Sequence, residues 1–184
     1  MHLNRLGWGL SCFGQAALLR GVAVPLATIS LATASFATLS AQALPDPAAR
    51  KQLETSGNCP GCALSAINLR YRDLSGANLA GADLRNADLT FADLSNANLA
   101  NTNFTGVNLE RANLAGANLS GAILSRASLV QANLQNANLD YAKLSEASLQ
   151  GAQVGNVSAT GATLCYATLP DGSFSTQGCP LFPQ

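Results

Sequence analysis

From Leu64 to Leu169 a leucine or a substitute for it recurs at every fifth residue, without insertion, through about 22 consecutive units. Position i is held by Leu74, Leu79, Leu84, Leu89, Leu94, Leu99, Phe104, Leu109, Leu114 and Leu119 and continues so to Leu149. Position i−2 is small, as at Ala77, Ala82, Ala87, Ala92, Ala97, Ala112 and Ala117, and the residue between is mostly Asn, Asp or Ser. A period of five fits neither an amphipathic helix nor an alternating strand, and so much Gly, Asn, Asp and Ser opposes one long helix. The apolar pair suits a short extended piece followed by a corner, with the small i−2 residue expected to permit the tight turn and the Leu to fill the interior. Four such sides close a square coil of about 20 residues, and coils stack at about 4.8 Å. A repeat sustained this long settles the fold before any other signal.

This register resembles the pentapeptide-repeat family. The resemblance covers roughly Leu64 to Leu169 and implies an all-β fold, a right-handed quadrilateral parallel β-helix of about five coils, roughly 25 Å long. Thr102, Val107 and Val157 stand where Ala is usual, and Val154 and Ala159 where Leu is. The last two predict an irregular final coil. The open ends of such a rod need covering. The expected organisation is therefore a signal peptide over 1–43, an N-terminal linker and helical cap over 44–58, the β-helix over 59–169, and a C-terminal cap or tail over 170–184. Ala48 to Glu54 reads as about two helical turns.

Apolar residues make up 48% of the chain, aromatic residues 5% and charged residues 11%, so the interior is narrow and filled by few side-chain shapes. Formal net charge is zero, which gives no basis for a nucleic-acid partner. His2 is the only histidine, and with it the common general-base and metal-binding schemes lose their usual residue. No catalytic residue, metal site or cofactor is expected.

Arg5 and Arg20 precede an uncharged stretch from Gly21 to Ala43 that ends in Ala41-Gln42-Ala43. This fits an export signal cleaved after Ala43. The competing reading, an uncleaved anchor, needs a more apolar stretch than one rich in Ala, Thr and Ser and containing Pro25. Cys12 lacks the upstream apolar run of a lipoprotein signal. The expected location is extracytoplasmic, in a periplasm or thylakoid lumen, as the resemblance to exported cyanobacterial pentapeptide-repeat proteins implies, with no membrane span after cleavage.

The exported chain keeps Cys59, Cys62, Cys165 and Cys179, and an even set in an oxidising compartment predicts disulfides. Bridged Cα atoms lie within about 7 Å, and Cys62 and Cys165 fall at opposite ends of the rod. Cys59–Cys62 and Cys165–Cys179 remain, the second pinning the tail across the last coil. A redox role for Cys59-Pro60-Gly61-Cys62 is the alternative, but the βαβ setting that activates such a thiolate is missing.

Twenty residues per coil also predicts which side chains stack. Asn78, Asn98, Asn118 and Asn138 form one column, an amide ladder. Asp73 and Asp93 share another, and Arg126 and Glu146 form an exposed pair. Tyr71, Phe91 and Arg111 share an outward column and are the candidate recognition patch. The function expected is a non-catalytic extracytoplasmic scaffold or protein-binding module, its partner another protein, with an end-to-end homodimer compatible with the architecture. The alternatives are a thiol–disulfide protein using Cys59 and Cys62 and, from the family resemblance, a DNA-mimicking gyrase binder. Balanced charge and an export signal oppose the last.

Overall fold

The structure, a computed structural model, describes residues 45–179. The expected export segment and cleavage position at Ala43 lie outside the described residues, as do the last five residues of the tail.

The first element is a helix, α1 (Pro47–Ser56). Asp46 accepts the Ala48 N–H at 2.9 Å, and Pro47 occupies the first turn, where its missing N–H leaves nothing unpaired. Gly57, at φ 67°, ends the helix by donating its N–H to the Leu53 carbonyl. Ala49 and Leu53, four residues apart, form its buried stripe. Those Pro and Gly signals set a length of ten residues, beyond the two turns read from the sequence.

After α1 the chain makes parallel bridges at a constant offset of 20 residues, in four ladders. They run 63–83–103–123–143–163, 68–88–108–128–148–168, 73–93–113–133–153 and 78–98–118–138–158. Each ladder is one side of the coil, and the side is a single bridge residue long because the corner comes at once.

One unit shows why the period is five. In Ala112–Gly116 each of the five backbone N–H groups has a separate destination. Ala112 donates to Leu109 across the corner (3.1 Å), Asn113 to Ala92 in the coil before (2.9 Å), and Leu114 to Asn133 in the coil after (2.7 Å). Gly116 donates to Gln135, also in the coil after (2.9 Å). That leaves the Ala115 N–H, which points at neither neighbour and is taken by the Asn113 side chain at 3.3 Å. Asn and Asp at i−1 repeat this Asx turn at Asn68, Asp73, Asp83, Asp88, Asp93, Asn103, Asn108, Asn118, Asn133 and Asn138.

The corner itself differs from the sequence reading. Every residue at i+2 from Gly61 to Tyr166 has φ between 55° and 70°, so the turn is made there and not at the small i−2 residue. The bond closing it, with a positive φ only at the third residue, makes a type II turn. The i−2 alanines are small for another reason: from Ala77 to Ala152 they are buried beside the leucines. The interior is a stack of Leu side chains with Phe104, nearly all fully buried. Thr102, the buried polar exception among them, donates its hydroxyl to the Leu79 carbonyl at 2.8 Å.

The final coil keeps its form, contrary to the expected irregularity: Asn156 and Gly161 hold the corner φ, and Gln153 and Ser158 still bridge. Val154 (42% exposed), Val157 and Ala159 are open because no described chain lies beyond them. The tail turns back at Asp171-Gly172 and pairs antiparallel with one side only, through Ser175 to Ala167 (2.9 Å), Tyr166 to Ser175 (2.8 Å) and Leu164 to Gln177 (3.0 Å).

The amide ladder is also redistributed. In the predicted column, Asn98 donates to Asn78 at 3.1 Å, while Asn118 and Asn138 serve their Asx turns. Two consecutive rungs occur instead on the adjoining side, Asn113 to Asp93 (3.1 Å) and Asn133 to Asn113 (3.2 Å). Two predictions follow from these bonds. Asn118→Ala leaves the Ser120 N–H without its acceptor and should lower the urea-unfolding free energy by about 1 kcal/mol. Asn113→Ala, which removes an Asx turn and two rungs, should cost more; equal losses would show that the rungs contribute nothing.

Five aspartates are held below the usual carboxylate range. Hydrogen bonds from Ser75, Ser158 and Ser173 lower Asp73, Asp140 and Asp171, and Arg85 lowers Asp83 through its hydrogen bond against an opposing burial effect. For Asp88 burial is the largest influence and pushes upward, but bonds from Thr90 and the charge of Arg70 outweigh it. A depressed folded pKa stabilises above the unfolded value of about 3.9 and stops doing so as pH falls through the folded value. Stability measured by urea unfolding should therefore hold from neutrality to about pH 5 and fall below about pH 4.

Candidate functional site

The strongest exposed constellation sits on one corner column. Because i+2 residues of successive coils stack at the coil spacing, side chains there are forced into register. Tyr71 and Phe91 have ring centroids 5.1 Å apart with planes 6° from parallel. The Arg111 guanidinium lies 5.5 Å from the Phe91 centroid, and that of Arg70 lies 5.5 Å from the Tyr71 centroid. Arg111 also donates from Nε to Gln131 at 2.7 Å, and Arg70 pairs with Asp88 at 3.4 Å. The result is a stacked pair of rings with a guanidinium close to each, continued beyond Arg111 by an amide.

The backbone makes this column unusual. Tyr71, Phe91, Arg111 and Gln131 all have φ near 57°, where a bulky L-residue is disfavoured by about 1–2 kcal/mol. Gly or Asn holds 13 of the 22 such corners. Four successive residues of other types on one column therefore carry strain that stacking partly offsets. Tyr71 is 67% exposed and Phe91 38%, so both rings are open to solvent despite their mutual stacking. Such a surface can contact a partner through aromatic edges, a phenol hydroxyl and two guanidinium groups. It carries no nucleophile–base pair.

The patch residues named from the sequence, Tyr71, Phe91 and Arg111, are thus brought together. Arg70 and Gln131 were missed: Gln131 was legible as the next residue on the column, and Arg70 only from the way its side chain folds over its neighbour. Other corner columns hold the Arg126–Glu146 pair at 3.0 Å and the Asn156–Asn136 bond at 3.3 Å. Asp73 and Asp93 bridge backbone to backbone and gather no metal-ligand set; no group of three or more such ligands occurs among the described residues. Nor is any described helix long and apolar enough to cross a membrane.

Cys59 and Cys62 are bonded, with Cα atoms 5.4 Å apart, and so are Cys165 and Cys179, at 4.7 Å. Cys59 is fully buried beneath α1, in contact with the first coil. No helix N-terminus meets either sulfur, since α1 ends at Ser56. The arrangement fits a staple at each end of the repeat.

The repeat is recognisable beyond this chain. The family described as pentapeptide repeats matches in 8 copies, over residues 62–101, 92–131 and 127–165, together more than half of the sequence. A pentapeptide repeat protein (Rfr23) from the cyanobacterium Cyanothece 51142 is 31% identical with a TM-score of 0.61, over 62% of this chain and 92% of that one. A pentapeptide repeat protein from the Arabidopsis thaliana thylakoid lumen is 33% identical over 58% of this chain and 71% of its own, with a TM-score of 0.40. HetL, a pentapeptide repeat protein from Nostoc sp. strain PCC 7120 involved in heterocyst differentiation regulation, is 29% identical over 64% and 78%, with a TM-score of 0.33. No curated protein matches. With its unbroken register, its four ladders and its left-handed corners, the chain belongs to the pentapeptide-repeat family, whose fold is the right-handed quadrilateral β-helix.

Proposed function

We propose that this protein is a non-catalytic, exported protein-binding module, a five-coil rod over 59–169 closed by the 44–58 segment and by the tail from residue 170. The observation that carries the binding role is the strained corner column. A purely structural corner is best served by Gly or Asn, yet this one presents Tyr71, Phe91 and Arg111 to solvent, residue types enriched at binding hot spots. The Ala41-Gln42-Ala43 site and the two cysteine pairs support an oxidising space outside the cytoplasm, a periplasm or thylakoid lumen. The mixed surface charge, with Arg85 on Asp83 at 2.6 Å and Arg70 on Asp88, favours a protein partner over nucleic acid.

Tyr71→Asn with Phe91→Asn separates binding from folding, because Asn tolerates the left-handed corner. The double variant should unfold within about 1 kcal/mol of the native chain. Proximity labelling in the source organism should show it losing a defined neighbour of the native protein. Identical neighbour sets for the two would end the role of this column.

The cysteine bridges are read here as structural. Cys59–Cys62 should resist dithiol reductants until the rod unfolds, and the protein should not catalyse insulin reduction. A bridge that exchanges readily in the folded protein would reverse this reading.

A further inference from the structure

The N-terminal end of the rod is closed on two sides and open on two. The Asp46 N–H reaches the Ala63 carbonyl at 3.2 Å, and the Asn58 side chain takes the Asn78 N–H at 2.7 Å. On the other two sides nothing among the described residues replaces the missing coil. In the next coil Asp88 and Asp93 donate their N–H groups to Ile67 and Arg72; the equivalent N–H groups of Asn68 and Asp73 have no partner among the described residues. Here a recess of about 150 Å³ opens between α1 and the first coil, with Leu53, Ile67, Leu69 and Leu74 as its apolar wall and two guanidinium and two carboxylate side chains, with Asn68, as its polar one.

Arg72 stands at the edge of this recess in a position the repeat forbids elsewhere. It occupies i−2, the inward column that Ala92, Ala112 and Ala132 fill deeper in the rod, and it is the only charged residue at i−2 in the whole repeat. At the open end its side chain is exposed, and it has no ion pair among the described residues. The acidic groups nearby are engaged. Glu54 pairs with Arg50 at 3.3 Å, and Asp73, at the outward i−1 position, accepts the Ser75 N–H (3.0 Å) and hydroxyl (2.7 Å).

We propose that this recess binds a small carboxylic acid with an apolar body about the size of benzene. A recess of about 150 Å³ with four aliphatic side chains along one part of its wall has room for a benzene ring. A free guanidinium and two unpaired sheet-edge N–H groups at its mouth suit a carboxylate, with charge-assisted bonds the strongest of their kind. A residue that breaks the local pattern without a structural gain is where function is expected.

Benzoate and hexanoate are the probes, titrated into the full chain while methyl resonances are followed. The methyl groups of Leu53, Ile67, Leu69 and Leu74 should shift saturably and those of Leu114 should not. Benzyl alcohol, of similar size and uncharged, should bind about tenfold or more weakly than benzoate, the factor one charge-assisted bond supplies. Arg72→Ala restores the residue usual at i−2, so the rod should fold; it should weaken benzoate about tenfold and leave benzyl alcohol unchanged. Absence of shifts at those methyls up to the probes' solubility overturns the proposal. So does equal affinity for benzoate and benzyl alcohol, or benzoate binding undiminished by Arg72→Ala.

Discussion

The structure depends on giving the corner and bridging N–H groups a destination when each side of the coil is only one bridge long. An unpaired buried amide costs as much as a lost hydrogen bond. Five residues supply five donors: one closes the corner, one reaches the previous coil, two reach the next, and one is left over. The Asx turn takes the fifth, as the Asn113 side chain does for Ala115. The period is therefore a consequence of hydrogen-bond allocation as much as of hydrophobic packing. Leu and Ala fill the small interior that this allocation leaves. Where Asn or Asp is absent at i−1, a substitute can come from another coil: Asp140 accepts the Thr160 N–H at 2.8 Å as well as the Ser158 hydroxyl.

Because the interior is fixed by this scheme, variation falls mostly on the outward positions i−1, i+1 and i+2. The corner residue i+2 is the most informative, since its left-handed φ imposes a cost on anything but Gly or Asn. Gly106, Gly116 and Gly121 also admit the side chain of the coil before: a Cβ added there would meet the side-chain oxygen of Asn86, Asn96 or Asn101 within 2.6 Å. These Asn–Gly alternations are one low-strain way to pack a corner column. The Tyr71–Phe91–Arg111–Gln131 column is a high-strain way, and its difference from the Asn–Gly columns is what supports the proposed binding role.

The period, the coil of twenty, the pairing of cysteines by rod end and the membership of the aromatic column could all be read from the sequence, because each follows from arithmetic on a strict register. The corner could not be placed the same way. Both i−2 and i+2 are enriched in small residues, and only the backbone shows that Ala at i−2 is small for lack of interior space while Gly at i+2 serves the dihedral angle. The Asn78 column showed a related limit: stacking was legible, but which amides add a rung along the rod to the bond they make with their own turn depends on rotamers. The export segment falls outside the described residues, so its reading still stands on the sequence alone.

Arg72 was legible and was passed over, since attention to substitutions at i−2 fell on Thr102, Val107 and Val157. Its charge is tolerable only because of where it lies. Deep in the rod a guanidinium at i−2 would be buried without a partner, which no hydrogen bond to a neighbouring carbonyl could offset. In the first coil the same position opens to solvent. In the middle of such a rod the bridging N–H groups are all paired between coils, so unpaired bridging donors, apolar gaps and tolerated charges collect at its ends. Recognition chemistry in a solenoid of this kind is thus limited to two places. One is a corner where the chain accepts strain to display a side chain, and the other is a terminus where the repeat stops before its hydrogen bonds do.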